Sequence, residues 1–438
     1  MAHVAFWGCF IPGRFPFMEK SIRVVLDALR VDYVDAAGFT CCPEKSVMKN
    51  AAELDWLVTA ARNLAVAERA GDSLFSPCNG CVGTLSGALK ELLAHPRLHR
   101  QVNERLGRVG LQLTGNVQVR HLVDLLHDEV GPDLIRQEVR LPLRGLRVAT
   151  HAGCHQTRPS RDLGRDDPLS PAKFDALIEA LGAESVEYET KGLCCGGTMN
   201  TAGLAEQAAA MTRQKLVDLR ATGVDCLAVT CPACFMQYDL VQFGLRRRGE
   251  EFDLPVVTLT DLMAVALGLD IEQLGLDMHR VPALEHVRAW QERGARAAAL
   301  AEGFDETAMR VCLQCRACEQ VCCSHRLDES YSPFTLMQAV LEGRAAEVLA
   351  SEDVWKCVEC YECQERCFQR FGMVEAMKAL KHAAIEAGQA AKGTATALAA
   401  FRRTGALAKP SQASRQKLGL PKAAEPPVKE LLEVLSDD

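Results

Sequence analysis

HVAFWGC (residues 3–9) and RVATHAGC (residues 147–154) decide the fold. Each is a short apolar run that ends on a cysteine just after a glycine, the pattern of a buried β-strand that delivers a thiol at its end. Outward from these two stretches the chain repeats itself. VDYVDAAGFTCC (31–42) parallels VEYETKGLCC (186–195), LFSPCNGC (74–81) parallels LAVTCPAC (227–234), and VQVRHLVDLL (117–126) echoes VTLTDLMAVAL (257–267). Helical patterns fill the spaces, over Glu19–Arg30, Asn50–Ala70 and Ala205–Ala221. Strands alternating with helices of this length predict α/β units with parallel pairing. The expected architecture is two pseudo-repeated α/β cysteine-rich lobes, 1–145 and 146–284. The second lobe carries an insertion, Thr157–Pro171, whose charge and proline content predict a surface loop.

From 285 the pattern changes. Apolar spacing near 3.6 over Leu284–Glu302, Ser332–Leu341, Glu347–Ala350 and Met373–Gly388 predicts an all-α region, 285–392. The segment 393–438 mixes Ala, Lys and Pro and reads as a partner-docking arm or a partly disordered tail.

Composition narrows the function. At 438 residues with 48% hydrophobic and 24% charged residues, the chain has material for several cores. The 20 cysteines are the outlier. MAHVAFWGCF at the start has no basic, apolar or cleavage-site features of a secretory signal. A cytoplasmic protein is therefore expected, whose reduced thiols are metal ligands or redox groups rather than a disulfide framework. No membrane span is expected, since the best apolar stretch, Leu254–Leu269, is interrupted by Asp261. A net charge of −7, only 5% aromatics, and a basic run Arg246–Arg248 followed by Glu250 and Glu251 exclude a nucleic-acid role based on bulk electrostatics or stacking.

The cysteines form two kinds of set. Cys312, Cys315, Cys318 and Cys322, then Cys357, Cys360, Cys363 and Cys367, are both C-x2-C-x2-C-x3-C runs. That spacing wraps three thiolates round one cubane face and sends the fourth to a second cluster. Zinc is the competing reading, but it draws four ligands from two CxxC pairs and leaves the regularly spaced third cysteine without a use. Two cubane 4Fe–4S clusters in a helical ferredoxin-like domain are expected. In the lobes, Cys9 precedes the pair Cys41–Cys42 and the pair Cys78/Cys81, while Cys154 precedes Cys194–Cys195 and Cys231/Cys234. An interval of 36 positions separates Cys42 from Cys78 and Cys195 from Cys231 alike. Five cysteines exceed the needs of one cubane or zinc ion. A vicinal disulfide is the alternative for each adjacent pair, though it leaves the other three cysteines of each set unexplained. An adjacent pair can serve one compact cluster only where the backbone turns sharply. Gly196 and Gly197 permit this after the second pair, and Pro43 fixes a turn after the first.

Other side chains are weaker candidates. His151 and His155 flank Cys154; either could protonate a leaving thiolate, and His155 is carried as the candidate catalytic residue, with a hydrogen bond to cluster sulfur or a surface position as the plainer readings. Lys191 could offset cluster charge or be simply solvated. Cys226 fits a buried strand, Cys323 belongs to no repeat, and Asn79 and Gly80 shape the turn of the first CxxC.

With these residues in place the chain resembles heterodisulfide reductase. The doubled five-cysteine pattern, with KSIRVVLDALRVDYV, LVTAARNLAVAE, CNGC, HAGCHQTRPS and GVDCLAVTCPACF, is similar to the B-type subunit of that enzyme over roughly residues 3–280. The region from about 300 to 425, with both cubane runs and RQKLGLP, is similar to the C-type subunit, so the chain looks like a fusion in the order B then C. It departs from the pattern in having CCP at the first pair, and Cys323 and Phe368 where proline usually follows a cubane run. The resemblance implies that Cys9, Cys41, Cys42, Cys78 and Cys81 hold one non-cubane 4Fe–4S cluster and that Cys154, Cys194, Cys195, Cys231 and Cys234 hold another. It further implies that electrons arrive through the two cubanes from a flavin-containing partner like the A-type subunit of heterodisulfide reductase, fed by further electron-input subunits, and reduce a disulfide. The alternative is a non-catalytic electron-transfer relay in a larger assembly, such as an aryl-CoA reductase or quinone-interacting complex. A zinc or disulfide-stapled scaffold is a third reading.

Overall fold

The computed structural model describes residues 3–301, 315–341, 344–407, 411–423, 428–429 and 432. They divide into two compact units, Met1–Ala298 and Ala299–Asp438.

In the first unit the repeat foretold by the sequence becomes two four-stranded sheets of one design. The first contains β1 (His3–Ala5), β2 (Tyr33–Asp35), β3 (Ser73–Ser76) and β4 (Gln118–His121), in the order β2-β1-β3-β4. The second contains β5 (Arg147–His151), β6 (Glu184–Ser185), β7 (Cys226–Val229) and β8 (Val256–Thr258), in the order β6-β5-β7-β8. Every pairing is parallel, with Val4 opposite both Val34 and Leu74, and Ala149 opposite Leu227. Parallel strands covered on both faces read as continuous apolar runs, and all four residues of β7 are fully buried. The edge strands β2 and β6 are only three and two residues long, which discourages further pairing. In both sheets the chain leaves the first strand to one side and returns on the other. A crevice opens at such a switch point, beyond the carboxyl ends of β1 and β3 and of β5 and β7.

The lobes share one core. Helix Pro16–Ala28 of the first packs against helix Leu259–Ala266 of the second, and helix Lys173–Ala180 packs against Leu122–Val130 in return. Ile22, Val25 and Leu26 therefore belong to one buried cluster with Leu262, Met263, Phe174 and Leu177. Each such side chain contributes about 1.5–3 kcal/mol by leaving water. A buried hydrogen bond from Ser21 Oγ to Thr260 Oγ1, 2.9 Å, crosses the junction. Helices Leu122–Asp124 and Leu259–Ala266 both begin with a reciprocal cap, His121 with Asp124 and Thr258 with Asp261. Val287 and Trp290 of helix Leu284–Ala301 sit in the same core, which is why the unit runs to Ala298.

The insertion Thr157–Pro171 is only partly the surface loop expected. Leu169 is exposed, but Arg165 is nearly buried, reaching Asp124, Ser86 Oγ and the Val119 carbonyl of the first lobe. An arginine of the second lobe thus satisfies acceptors on the first.

The second unit is helical where described, as expected. Pro333–Leu341, Ala345–Ala350 and Met373–Glu386 enclose a core of Met337, Val348, Val354, Met377 and Leu380. The segment read as arm or tail contains helices Lys392–Thr404 and Gln412–Lys417, neither of which buries a residue. Among the described residues no helix is long and apolar enough to cross a membrane.

Candidate metal centre

The cysteines of the first unit lie at the carboxyl ends of the strands. Cys9 follows β1 and caps helix Phe10–Arg14. Cys78 follows β3 and caps helix Asn79–Ala94, whose first turn holds Cys81. In the second lobe Cys154 opens helix Cys154–Thr157 after β5, and Cys231 caps helix Pro232–Met236, which carries Cys234. The adjacent pairs occupy the loops after β2 and β6. Gly196 takes φ +88° behind the second pair, the freedom its position required, and its N–H and that of Gly197 each donate to a pair sulfur at 3.4 Å. Gly153, φ +81°, admits the other lobe: a β-carbon there would stand 2.1 Å from Asn79 Nδ2, whose amide donates to the Ala152 carbonyl at 2.7 Å.

The thiols gather in and between the lobes. Cys9 Sγ and Cys41 Sγ are 3.6 Å apart, and Cys154 Sγ and Cys194 Sγ 3.9 Å. Cys42 and Cys81 are buried in one apolar cluster, with Cys78 packed against it. Cys195, Cys231 and Cys234 share a second buried cluster, with Cys194 packed against it. Cys78 also packs against that second cluster, so the two sets meet at a junction between lobes that spacing within either lobe does not reveal. Every described cysteine is a free thiol. Crowding makes neighbours share protons. The neighbouring sulfurs of Cys41 and Cys81 bring Cys42 down to about 5, those of Cys154 and Cys195 lower Cys194, and those of Cys234 and Cys78 lower Cys231. Cys9, Cys78, Cys81, Cys154 and Cys234 are raised, each first by a sulfur neighbour and then by burial. So many soft donors, unpaired as disulfides and brought to the same crevice, fit an iron–sulfur cofactor in each lobe.

The surroundings of the two sets differ. Lys215, on helix Ala205–Thr222, is fully buried, an unusual state for lysine. Its Nζ lies 3.2 Å from His151 Nδ1 and donates to the Lys191 carbonyl at 3.0 Å. Burial draws its pKa down to about 8, against the pull of Cys234, Cys195 and Cys194. His151 is buried at the end of β5 and held neutral by desolvation, then by Lys215. Its Nε2 has no hydrogen-bond partner, and one of its ring nitrogens lies within 4.8 Å of Cys195 and Cys234 sulfurs. Lys191, the lysine the sequence singled out, is instead paired with Asp175 at 2.7 Å and with Glu187. In the first lobe Asn63 holds the loop of the cysteine pair, donating to the Cys41 carbonyl at 3.0 Å and accepting from Thr40 N–H at 2.9 Å. His155 packs on Gly83 of the first lobe, its Nδ1 3.7 Å from Glu44 Oε1; burial and then Lys45 keep its pKa below the usual value. Cys226 is a core residue of β7 with its thiol raised by burial. Lys215 and Asn63 escaped sequence reading because a buried polar residue on a helix looks there like a solvated one.

The second unit gathers its own thiols. Cys312 lies outside the described residues. Cys315 and Cys318 lie at helix Ala317–Val321, and Cys322 caps helix Cys323–Leu327. Cys322 lines one cavity with Cys357, Cys360 and Cys363 of the other run, and burial is the first cause that raises the Cys357 and Cys363 thiols. Arg316 and Tyr361, each directly after a cysteine, adopt positive φ of 52° and 63°, curling the backbone where only a few per cent of non-glycine residues go. A small cavity is lined by Cys322, Cys323, Cys357, Cys360 and Cys363.

Known proteins resemble this chain. The cysteine-rich domain (CCG) family matches residues 3–86 and again 148–239. The chain is 36% identical over 282 residues to the B-type subunit of the ferredoxin/F420H2-dependent CoB-CoM heterodisulfide reductase of Methanosarcina acetivorans, 64% of this chain and 94% of that one. It is 30% identical to the 8-methylmenaquinol:fumarate reductase membrane anchor subunit of Wolinella succinogenes, over 64% of this chain and 96% of that one. An 84-residue segment is 36% identical to the C-type iron-sulfur subunit of the CoB--CoM heterodisulfide reductase of Methanopyrus kandleri, 19% of this chain and 43% of that one. The crystal structure of a hypothetical protein from Helicobacter pylori has the same fold over 64% of this chain and 52% of that one, with TM-score 0.53 at 16% identity. The chain belongs to the family of the heterodisulfide reductase B-type subunit, joined here in one polypeptide to a segment similar to the C-type subunit.

Proposed function

We propose that this chain is an iron–sulfur oxidoreductase subunit of a cytoplasmic multi-subunit complex and reduces a disulfide. Cys9, Cys41, Cys42, Cys78 and Cys81 hold one non-cubane 4Fe–4S cluster, and Cys154, Cys194, Cys195, Cys231 and Cys234 hold the other. The runs Cys312–Cys322 and Cys357–Cys367 hold two cubane clusters. The chain takes electrons through these runs from a flavin-bearing partner of the A type, with further electron-input subunits behind it. The observation that carries this reading is the meeting of the two five-cysteine sets where Cys78 packs against the buried cluster of Cys195, Cys231 and Cys234. When bound, the paired clusters supply single electrons to the two sulfurs of a disulfide, which avoids releasing a thiyl radical.

The chain's own residues set the conditions. Lys215 places a buried positive charge behind Cys194, Cys195 and Cys234. Cys9 and Cys41 are exposed whereas Cys81, Cys231 and Cys234 are buried, so solvent reaches the thiols at the first-lobe end. His155 is the candidate proton donor to a released thiolate. It is neutral at rest and must first take up a proton, a charge that Glu44 at 3.7 Å stabilises.

The relatives' names suggest CoB–CoM heterodisulfide as the first substrate to test. Adding it to the reduced, anaerobically purified protein should produce a paramagnetic state that Cys78→Ala and Cys231→Ala abolish. Cubane signals alone, indifferent to the disulfide, would overturn the reading. The relative named for fumarate reductase favours a second reading, a relay that delivers electrons to a separate catalytic protein. Anaerobic copurification distinguishes the two: a flavoprotein alone supports disulfide reduction here, and an additional catalytic component supports the relay.

A further inference from the structure

Cys323 is the cysteine of the second unit that neither run uses. It opens helix Cys323–Leu327, which is fixed in place because Ser324 Oγ donates to the Lys356 carbonyl at 2.6 Å. Its Sγ lies 3.9 Å from Cys360 Sγ with its thiol directed at that sulfur, and both line the cavity with Cys322, Cys357 and Cys363. Five cysteines thus border one small cavity, one more than the four ligands a cubane takes.

The distance identifies which two compete. Thiolates on different corners of a cubane stand well apart, whereas Cys323 and Cys360 are in van der Waals contact. They cannot hold separate irons of one cluster, but either can reach the same iron. We propose that Cys323 is an alternative ligand to the second-run cluster, exchanging with Cys360 at one corner. In the exchange the iron–sulfur bond to Cys360 breaks, the bond to Cys323 forms, and the Cys323 thiol proton passes to the Cys360 sulfur it already faces. Charge and oxidation state are unchanged. In the resting state the spare thiol donates a hydrogen bond to the ligand sulfur, one of the means by which a protein adjusts a cluster's potential. The inference rests on the cubane reading of the second run.

The test uses the full chain, purified anaerobically, with iron and acid-labile sulfide measured per chain and EPR recorded after reduction. Alanine is the replacement because a serine oxygen can itself bind iron. Cys360→Ala is expected to keep the iron and sulfide of the parent protein, with a shifted EPR spectrum. Cys323→Ala is expected to keep them too, and Cys323→Ala/Cys360→Ala to lose one cubane's worth of each. Cys363→Ala removes an unshared corner and should resemble the double variant, while retention of the remaining iron in every variant reports that the chain has folded. If Cys360→Ala alone loses as much as the double variant, the exchange is refuted although the cluster is real. If Cys363→Ala loses nothing, the cubane reading falls and takes the exchange with it.

Discussion

A buried ammonium beside a set of thiolates has a cost and a consequence. Lys215 gives up hydration that lysine rarely forgoes, and it gains the His151 ring, the Lys191 carbonyl and the field of Cys194, Cys195 and Cys234. A unit charge roughly 8 Å from another in an effective dielectric of about 20 is worth on the order of 2 kcal/mol, or roughly 90 mV for a one-electron couple. Lys215→Met should therefore lower the midpoint potential of the second-lobe cluster by tens of millivolts and leave that of the first in place. EPR-monitored redox titration reads both; equal shifts, or none, would remove Lys215 from that role. The thiols make a second prediction. Cys9, Cys78, Cys81, Cys154 and Cys234 are raised and so keep their protons at neutral pH. Iron must displace those protons, so cluster affinity should rise with pH and loading should release acid, measurable in weakly buffered reconstitution. Loading that is independent of pH would contradict the shared-proton network. At this scale the cysteines were legible, because two intervals of 36 positions do not recur by accident. Lys215 was not, since nothing in QKLVDL marks the lysine as turned inward, and the sequence pointed to Lys191, which the fold gives to Asp175.

At the scale of elements, strands and helices were readable wherever apolar periodicity was strong, as in β7 and in helices Glu53–Ala70 and Ala205–Thr222. What the pattern could not show was contact between elements far apart in sequence. Arg165 looked like loop solvent and closes the lobe junction; Asn79 looked like a turn former and donates to the Ala152 carbonyl. Gly153 tests that junction. Gly153→Ala would bring a β-carbon against Asn79 at positive φ, whereas Gly110→Ala has positive φ and an open surrounding. We expect the first to cost about 2–4 kcal/mol by strain plus overpacking and the second about 1 kcal/mol, measured by denaturant unfolding. Comparable losses would mean that the two lobes do not constrain each other there. Helix Leu284–Ala301 makes a parallel case. A chain ending at Ala283 lacks Val287 and Trp290 of the shared core and should unfold several kcal/mol more readily than one ending at Ala298.

For the whole molecule, the first unit contains both five-cysteine sets and the second contains the described members of both cubane runs. This division makes the relay order testable. The chain ending at Ala298 should load iron in its ten-cysteine centre, yet accept no electrons from the flavin-bearing partner. Full-rate reduction of the shortened chain would show that electrons enter the first unit directly. The central claim is that the ten thiols of the first unit form a pair of non-cubane 4Fe–4S sites. Mössbauer spectroscopy of the ⁵⁷Fe-loaded full chain tests it most directly. The account predicts iron shared about equally between cubane sites and a second class with distinct parameters, the second class being lost on joint replacement of Cys78 and Cys231 by alanine. A spectrum containing cubane iron alone would contradict it.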